Sequence, residues 1–289
     1  MSQRRSLLPD NRLLKPKTSR GPALAIAGAA TTTTATSLAY LARHRWPFTP
    51  KLEHIAMDAN TFVRPLRIGF VTDLHVGPMI RARDVNRAMD ILFAARPDLL
   101  LLGGDYICES PRYAPEAAAA LRSYIEATPL GSFAVLGNHD YANDAPRLSG
   151  LFEAIGIRVL RNESARIAAH GSDVWIAGID DALLSTANPG ETFASIPPGA
   201  NSIALWHEPD WADDIVRYGP ALQLSGHTHG GQFRLPFLGH LAAPKGGRRY
   251  VLGMHDVAGM PVYTSRGIGV YRPPIRVLCP PEVTLVTLS

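Results

Sequence analysis

Cysteine is scarce in this chain, which argues against a thiolate metal site and against a disulfide framework. The 289 residues include only two cysteines, Cys108 and Cys279, and these form neither a CxxC pair nor a spacing typical of zinc ligands. Nothing in the sequence supports a disulfide between them, although the pairing stays open. We therefore expect both thiols to fill space, and the cysteine content does not indicate a cellular compartment.

Charge is also sparse, and it is unevenly placed. Charged residues make up 19% of the chain and the formal net charge is +4, while hydrophobic residues reach 46%, which fits a globular protein with a substantial core. The part of the chain after residue 21 is close to neutral, which argues against a nucleic-acid-binding surface. Before Pro22 there is one acid, Asp10, and there are six basic residues: Arg4, Arg5, Arg12, Lys15, Lys17 and Arg20.

A strongly apolar run of membrane-spanning length is missing too. The uncharged segment 22–42 is rich in Ala and Thr, and as a helix rising about 1.5 Å per residue it would just cross a hydrocarbon core of about 30 Å. We predict that residues 1–51 form a basic leader with a weakly apolar signal or anchor segment, which associates the protein with the inner membrane. The basic start favours export of the main domain, but Arg43, His44 and Arg45 weaken that inference, so the membrane side stays open. A dispensable tail is the alternative.

Strand and helix patterns alternate from about residue 65 onward. Apolar runs at 66–71, 99–102 and 132–136 predict strands, and each is followed by a segment with helical spacing of its apolar residues. The second half is mostly strand-like, as in VWIAGI, SIALW, ALQLS, QFRLP, RYVLG, PVYTS and EVTLVTL, with one short helix near 211–218. We predict an α/β fold of two packed mixed β-sheets flanked by helices, formed by one catalytic domain at residues 60–289.

Polar side chains that bind metals follow five of the predicted strands directly. The carboxyl ends of parallel strands meet at one edge of a sheet, where sites form, so we expect these side chains to lie close together. Residues i and i+2 of an extended segment point the same way, which would turn each D-x-H or H-x-H pair toward one ion. The residues are Asp73, His75, Asp105, Asn138, His139, Asp140, His207, His227 and His229.

Carboxylate, imidazole and amide donors without thiolate suit Mn, Fe, Zn and similar ions. Two such ions about 3.5–4 Å apart can generate hydroxide at neutral pH and hold a phosphoryl group for in-line displacement. The pattern therefore indicates a two-metal site for phosphoryl chemistry.

The motifs DLH, GGDY, GNHDY, WHEPD and GHTHGGQ, in this order, resemble the calcineurin-like metallophosphoesterase superfamily. The resemblance covers about residues 66–288 and implies an αββα sandwich. GHTHGGQFRLP and the later SRGIG and PPE resemble the bacterial YaeI/YkuE-like phosphodiesterase branch, which includes UDP-2,3-diacylglucosamine pyrophosphatase-like enzymes.

The resemblance also implies roles for the residues. His139 would be a catalytic residue that faces the substrate, and Asp140 would orient His139 or its loop. Two divalent ions would be bound, with Mn expected and Fe, Zn or Co as alternatives, and a hydroxide held by them would attack phosphorus. Seven residues would hold the ions: Asp73, His75 and His229 the first, Asn138, His207 and His227 the second, and Asp105 both.

The implied activity is hydrolysis of a phosphodiester or pyrophosphate bond. The protein Ser/Thr phosphatases of the superfamily carry GDxVDRG and GNHE, whereas this chain has GGDYICES and GNHDY and lacks that arginine. A nucleotide-linked lipid such as UDP-2,3-diacylglucosamine is the candidate substrate. A phosphomonoesterase and a non-catalytic scaffold of the same fold stay open as alternatives. We expect no nucleic acid and no obligate protein partner.

Residues outside the motifs give weaker indications. Arg248 and Arg266, with Arg249 and Arg272, are candidates for holding a substrate phosphate. Phe237 lies in QFRLPFLGH, which is either a packed hairpin or an apolar wall for an acyl chain or a membrane. The remaining five histidines are interpreted as lying outside the site; they are His44, His54, His170, His240 and His255. Three acids are interpreted in the same way, namely Asp180, Asp181 and Glu208.

Overall fold

The computed structural model describes residues 48–58 and 63–289. Almost all of the predicted leader, residues 1–51, lies outside these ranges. Within them, no helix has the length and apolarity needed to cross a bilayer.

The first sheet has six strands: β1 Lys51–Met57, β2 Leu66–Val71, β3 Leu99–Leu102, β4 Ser132–Ala134, β5 Ile157–Val159 and β14 Glu282–Leu288. Their spatial order is β1-β14-β2-β3-β4-β5. β2 to β5 are parallel, β14 runs antiparallel to β2, and β1 is parallel to β14. Because β1 pairs with β14 along its whole length, the sheet begins before residue 60, the predicted start of the domain.

The second sheet also has six strands: β6 Glu163–Ala169, β7 Ser172–Gly178, β8 Ser202–Leu205, β9 Leu222–Ser225, β12 Gly253–Val257 and β13 Met260–Thr264. Their order is β12-β13-β9-β8-β7-β6, with β7, β8, β9 and β13 parallel and the two outer strands antiparallel. A small separate hairpin consists of β10 Arg234–Leu235 and β11 Gly239–His240.

The helices lie on the outer faces of the two sheets. They are α1 Ala82–Phe93, α2 Ala114–Glu126, α3 Asn138–Asn143, α4 Ala145–Glu153 and α5 Pro189–Phe193, with 3-10 turns at 111–113, 209–214, 216–218 and 229–231. β3 is apolar throughout because both of its faces are buried: Leu99 and Leu101 pack between the sheets, while Leu100 and Leu102 pack under the helices. The predicted α/β fold of two packed sheets flanked by helices is confirmed.

Two predicted elements differ from the structure. RYVLG is not a strand, because the backbone N–H groups of Arg248, Arg249 and Tyr250 donate to the Asp210 carboxylate instead of a neighbouring strand. The strand in this region, β12, starts only at Gly253. The helix predicted near 211–218 consists of two 3-10 turns rather than an α-helix.

A buried ion pair joins the two sheets next to the ends of β13 and β14. Glu282, the first residue of β14, is almost fully buried and accepts hydrogen bonds from the Tyr263 hydroxyl (2.9 Å) and the Arg266 backbone N–H (3.0 Å). The Arg266 guanidinium donates to Glu282 and also to Glu53 on β1, whose side chain is 41% exposed. Arg266 therefore connects both sheets through carboxylates of very different burial.

This contrast in burial predicts different costs for two substitutions at the same arginine. Glu282→Ala leaves a largely buried guanidinium without its main partner and should lower the free energy of unfolding by about 3–5 kcal/mol. The matched control Glu53→Ala removes an exposed partner and should cost about 0–1 kcal/mol. Urea denaturation of both variants measures the difference, and equal losses would show that the pair does not hold the sheets together.

Candidate metal centre

The site lies at the carboxyl ends of the parallel strands, where the chain turns sharply. Asp73, His75 and Asp105 have φ angles of 52°, 47° and 57°, and His227 and His229 have 69° and 51°. Left-handed backbone is uncommon for residues other than glycine and tends to cluster at functional sites. The sequence pattern predicted locally extended backbone at these residues, and that prediction is wrong. Tight turns bring each D-x-H or H-x-H pair to the site.

One group of donor atoms comes from the turns after β2 and β9. His75 Nε2 lies 3.0 Å from His229 Nε2, and Asp73 Oδ1 lies 3.9 Å and 3.6 Å from these two nitrogens. All three side chains are buried. Ligand atoms bonded at about 2.0–2.2 Å to one ion are separated by such distances, so this group fits one divalent cation.

A second group consists of Asp105, His207 and His227, whose donor atoms lie within 4.8 Å of one another. Asp105 belongs to both groups, because its Oδ2 is 3.5 Å from His75 Nε2 and 3.3 Å from His207 Nε2. The arrangement is that of two adjacent cation sites with one shared carboxylate.

Each histidine of the second group places one ring nitrogen beside a backbone carbonyl, which leaves the other nitrogen as a candidate ligand atom. His207 Nδ1 lies 2.7 Å from the Gly103 carbonyl, while its buried Nε2 makes no hydrogen bond and lies 3.3 Å from Asp105 Oδ2. His227 Nε2 lies 2.9 Å from the Lys245 carbonyl, which leaves Nδ1 for a metal. Asn138 Oδ1 is also buried without a partner. Metal-bound histidines characteristically donate the other ring N–H to a carbonyl or carboxylate, so these residues fit a divalent ion.

Burial and the shared carboxylate determine the charges in the site. Burial raises the pKa of Asp73 to about 7, and it lowers the pKa of His75 to about 3 and that of His227 to about 4. Burial opposes charge on Asp105 and His207 as well, but their mutual attraction lowers the pKa of the carboxyl and raises the pKa of the imidazole. His75 and His227 are thus neutral at pH 7, the form that binds metal.

Asp140 holds the backbone that carries Asp105 rather than facing the pocket. It is fully buried, and its carboxylate accepts N–H groups from Asp105 (2.8 Å), Tyr106 (2.9 Å) and Gly137 (3.0 Å). His139, by contrast, is half-buried and lines the pocket, and its backbone N–H donates to Asp105 Oδ1 (2.8 Å). This contact leaves Oδ2 of the shared carboxylate turned toward the histidines.

Two glycines allow the turns to approach so closely. A Cβ on Gly226 would collide with the Thr72 hydroxyl and the Asp73 carboxylate, and a Cβ on Gly137 would collide with Asp105. Glycine at these positions follows from the packing of one ligand turn against the next.

Arg276 is a buried cation behind the first group that sequence reasoning missed. Its guanidinium lies 3.3 Å from His229 Nδ1 and donates to the carbonyl of Gly269 (2.9 Å) and, more weakly, to those of His229 (3.3 Å) and Cys279 (3.4 Å). Burial lowers the pKa of His229, and the nearby His75 and Arg276 lower it further. In the sequence it lies in PPIRVLC between the SRGIG and PPE segments, and nothing in that stretch distinguishes it from a surface arginine.

A cleft of about 520 Å³ opens over the metal ligands. Its walls are largely apolar, with Leu183, Phe233, Ala242, Ala243, Pro244 and Pro273 beside His139 and Lys245. Tyr271, also missed, stands on the rim with its ring centroid 5.0 Å from that of His139. Gln232 fixes this rim, because its side chain bonds to the backbone N–H (2.9 Å) and carbonyl (2.9 Å) of Tyr271.

The proposed substrate-binding residues are placed differently. Arg266 is engaged by Glu282 and Glu53, and neither it nor Arg248 lines the cleft. Phe237 does not line it either and is fully exposed. Arg272 does line the cleft, where it pairs with Glu109 at 2.9 Å.

Arg276 is expected to position His229, so Arg276→Met should weaken one of two metal sites. The loss should be about 10- to 100-fold in affinity, because groups behind a ligand have effects of that size. Isothermal titration with Mn²⁺ measures the stoichiometry and both affinities, and Arg276→Lys should not restore them because it lacks the planar fork.

Arg234→Met is the matched control, since Arg234 also bonds to this turn, through the Gly230 carbonyl (3.2 Å), but lies outside the ligand groups. Two unchanged Mn²⁺ affinities in folded Arg276→Met protein would contradict the positioning role.

The comparisons with known proteins agree with this geometry. The chain is 34% identical over 221 residues to the metallophosphoesterase YkuE of Bacillus subtilis, which covers 75% of this chain and 77% of that protein. It is 33% identical over 234 residues to phosphodiesterase YaeI of Escherichia coli, covering 78% and 82%. It is 29% identical over 242 residues to a transmembrane protein with metallophosphoesterase domain of Bos taurus, covering 78% and 53%. Residues 66–231 match the calcineurin-like phosphoesterase family, and the chain belongs to this family of metal-dependent phosphoester hydrolases.

Proposed function

We propose that the protein hydrolyses a phosphodiester or pyrophosphate bond at a centre of two divalent ions, with Mn²⁺ as the expected metal. The observation that carries the proposal is the shared carboxylate: Asp105 Oδ2 lies within 3.5 Å of histidine nitrogens from both donor groups. Two divalent ions held by these residues would supply a nucleophilic hydroxide at neutral pH and would neutralise charge on the phosphoryl group.

The protein side chains would bind the two ions and hold their ligands in position. Asp73, His75 and His229 would hold one ion, and Asn138, His207 and His227 the other, with Asp105 common to both. The Asp140 carboxylate positions the Asp105 turn by accepting the backbone N–H groups of Asp105 and Tyr106. Buried carboxylate and imidazole dipoles fixed in this way need little rearrangement when charge develops on the phosphoryl oxygens.

His139 is the side chain placed to act on the leaving oxygen. Its ring lines the cleft, 4.9 Å between centroids from that of His75. An imidazole at this position can donate a proton to the departing alkoxide or phosphate, or hydrogen-bond to the phosphoryl oxygen.

The charge and shape of the cleft favour a diester over a monoester. A dianionic monoester calls for several free cations, but Arg272 pairs with Glu109, Arg266 is engaged by two glutamates outside the cleft, and Lys245 is left as the free cation of the lining. A diester carries one charge and a second substituent, which the apolar walls at Leu183, Phe233 and Ala242 can accommodate. The relative YaeI is named a phosphodiesterase, in agreement with this choice.

The same walls support a lipid-linked substrate, such as the nucleotide-linked lipid UDP-2,3-diacylglucosamine. An acyl chain leaving the metal centre would contact apolar side chains rather than charged ones. Membrane association through the N-terminal segment belongs to the same proposal, and it is supported by the composition of residues 22–42 and by the name of the bovine relative.

Removal of the shared carboxylate should abolish both metal binding and activity. The purified full-length protein is expected to hydrolyse bis-p-nitrophenyl phosphate with Mn²⁺ and to lose activity in EDTA. Asp105→Asn should lower the rate by about 100-fold or more, because neither ion keeps its ligand set.

Asp173→Asn, an exposed acid at the start of β7, is the matched control and should retain the wild-type rate. Full activity in Asp105→Asn would refute the two-ion assignment. A wild-type protein that binds no metal and hydrolyses nothing with added Mn²⁺ would instead favour the scaffold alternative.

The preference for a diester predicts a ratio of rates. With Mn²⁺, kcat/KM for bis-p-nitrophenyl phosphate should exceed that for p-nitrophenyl phosphate, because the cleft offers apolar contact to the second ester group and few free cations to a dianion. Initial rates on the two compounds measure the ratio, and a higher value for the monoester would make this protein a phosphomonoesterase.

A further inference from the structure

The β10–β11 hairpin carries an unusual concentration of exposed apolar side chains. Four of the nine exposed large hydrophobic residues in the described part of the chain lie within residues 235–241. Their exposures are 39% for Leu235, 108% for Phe237, 74% for Leu238 and 61% for Leu241. Leu278, 65% exposed, follows Val277, which bridges to Phe233 at the hairpin base. Single exposed hydrophobic residues are ordinary, but a cluster indicates a contact surface.

The hairpin holds these side chains away from the body of the protein. Its base is fixed by hydrogen bonds from Arg234 N–H to the Val277 carbonyl and from Leu241 N–H to the Phe233 carbonyl, both 3.0 Å. At the tip, Phe237 has φ = 67°, a left-handed conformation that is unfavourable for a bulky residue. The Phe237 ring therefore projects outward on a turn that is itself strained, and it makes no contact with the core.

The hairpin is also an extension of the cleft wall. Phe233, where the chain enters it, and Ala242, Ala243 and Pro244, where the chain leaves it, line the cleft over the metal ligands. The apolar tip thus begins only a few residues from the site of the chemistry. A contact made by the tip would bring the opening of the cleft to the same surface.

The charge of this segment has one sign. Residues 231–249 contain no acid and four basic residues, namely Arg234, Lys245, Arg248 and Arg249. Arg249 pairs with Asp213, whereas Lys245 and Arg248 are exposed, and no ion pair joins either side chain to another described residue. An apolar tip beside basic side chains matches the interface of a bilayer that contains anionic lipid.

We propose that this hairpin inserts its tip into the headgroup region of an anionic bilayer, so that the cleft receives its phosphodiester from the membrane surface. The second half of this statement rests on the proposed function, but the insertion does not. A protein partner fits less well, because a stable protein interface buries about 800 Å² and roughly 20–30 residues per side, and the tip offers five apolar side chains on a convex turn. Interfacial insertion needs only a few such side chains, placed about 5–10 Å deep.

A fluorescence probe at the tip tests the insertion directly. Full-length Phe237→Trp is mixed with phosphatidylglycerol/phosphatidylethanolamine vesicles whose acyl chains are brominated, and its emission is compared with that of the wild type. Val63→Trp is the matched control: Val63 is 87% exposed and bonds to the β6–β7 turn, at the end of the second sheet away from the metal ligands. We expect bromine to quench the emission that Phe237→Trp adds to the wild-type signal, and to leave unquenched the emission that Val63→Trp adds.

Binding of the vesicles provides a second, independent measurement. Phe237→Ser should weaken co-sedimentation by roughly 10-fold or more, the effect of losing one buried aromatic side chain, while Val63→Ser should match the wild type. Melting temperatures confirm that each variant is folded. High salt should weaken binding because it screens the attraction between the basic side chains and the anionic headgroups. Pure phosphatidylcholine should also weaken binding, because its headgroup carries no net charge.

Three results would overturn the proposal. Equal quenching of the two added tryptophans would show that the tip stays out of the bilayer, as it would if the leader or another protein covered it. Unchanged binding by Phe237→Ser would assign vesicle binding to another part of the chain. A wild type that does not bind these vesicles would show that the hairpin does not insert. None of these measurements uses a substrate, so insertion by a protein that fails to hydrolyse diesters would refute the proposed function and leave the hairpin assignment standing.

Discussion

The proposed two-metal arrangement depends on the position of one carboxylate, that of Asp105. One of its oxygens faces the histidines of both donor groups, and the other accepts the His139 backbone N–H. A side chain with so many neighbours must be held by backbone, because a free rotamer would sacrifice some of these contacts. Asp140 provides this support by accepting the backbone N–H groups of Asp105 and Tyr106, and it also accepts that of Gly137 on the neighbouring turn after β4. The GNHD motif would therefore supply a ligand of the proposed second ion in Asn138 and the proposed catalytic imidazole in His139, and through Asp140 it supports the Asp105 turn.

The first donor group depends on residues far along the chain. The loop at Gly267–Gly269 closes over Asp73, and Arg276 donates to its carbonyls while it contacts the ring of His229. Glu282 holds the same loop from below through Arg266 and Tyr263. The two sheets are thus joined at the place where their carboxyl ends meet. Asp73 follows a strand of the first sheet and His229 a strand of the second, so the first donor group itself spans the two sheets.

The clustering of the Asp and His side chains could be predicted from the sequence because they occupy strand ends in a recognisable order. The strands β2, β3, β9 and β14 could be predicted because both their faces are buried. The left-handed turns at Asp73 and His227 could not, since nothing in D-x-H or H-x-H distinguishes a turn from extended backbone. Arg276 was missed because a buried arginine resembles a surface one until its carbonyl partners are known. RYVLG has strand composition, but the distant Asp210 carboxylate takes its N–H groups. In each case the deciding partner is remote in sequence.

The chain between His227 and Lys245 joins the metal centre to the hairpin. It leaves the site at His227 and His229, forms the cleft wall at Phe233, turns at the exposed tip and returns to Lys245. The Lys245 carbonyl then lies 2.9 Å from His227 Nε2 and fixes the ring, which leaves the other nitrogen for the proposed second ion. The excursion therefore starts and ends at one imidazole. Because the segment that returns from the tip carries the Lys245 carbonyl, the ring of His227 is positioned by the same stretch of chain that presents the exposed apolar side chains.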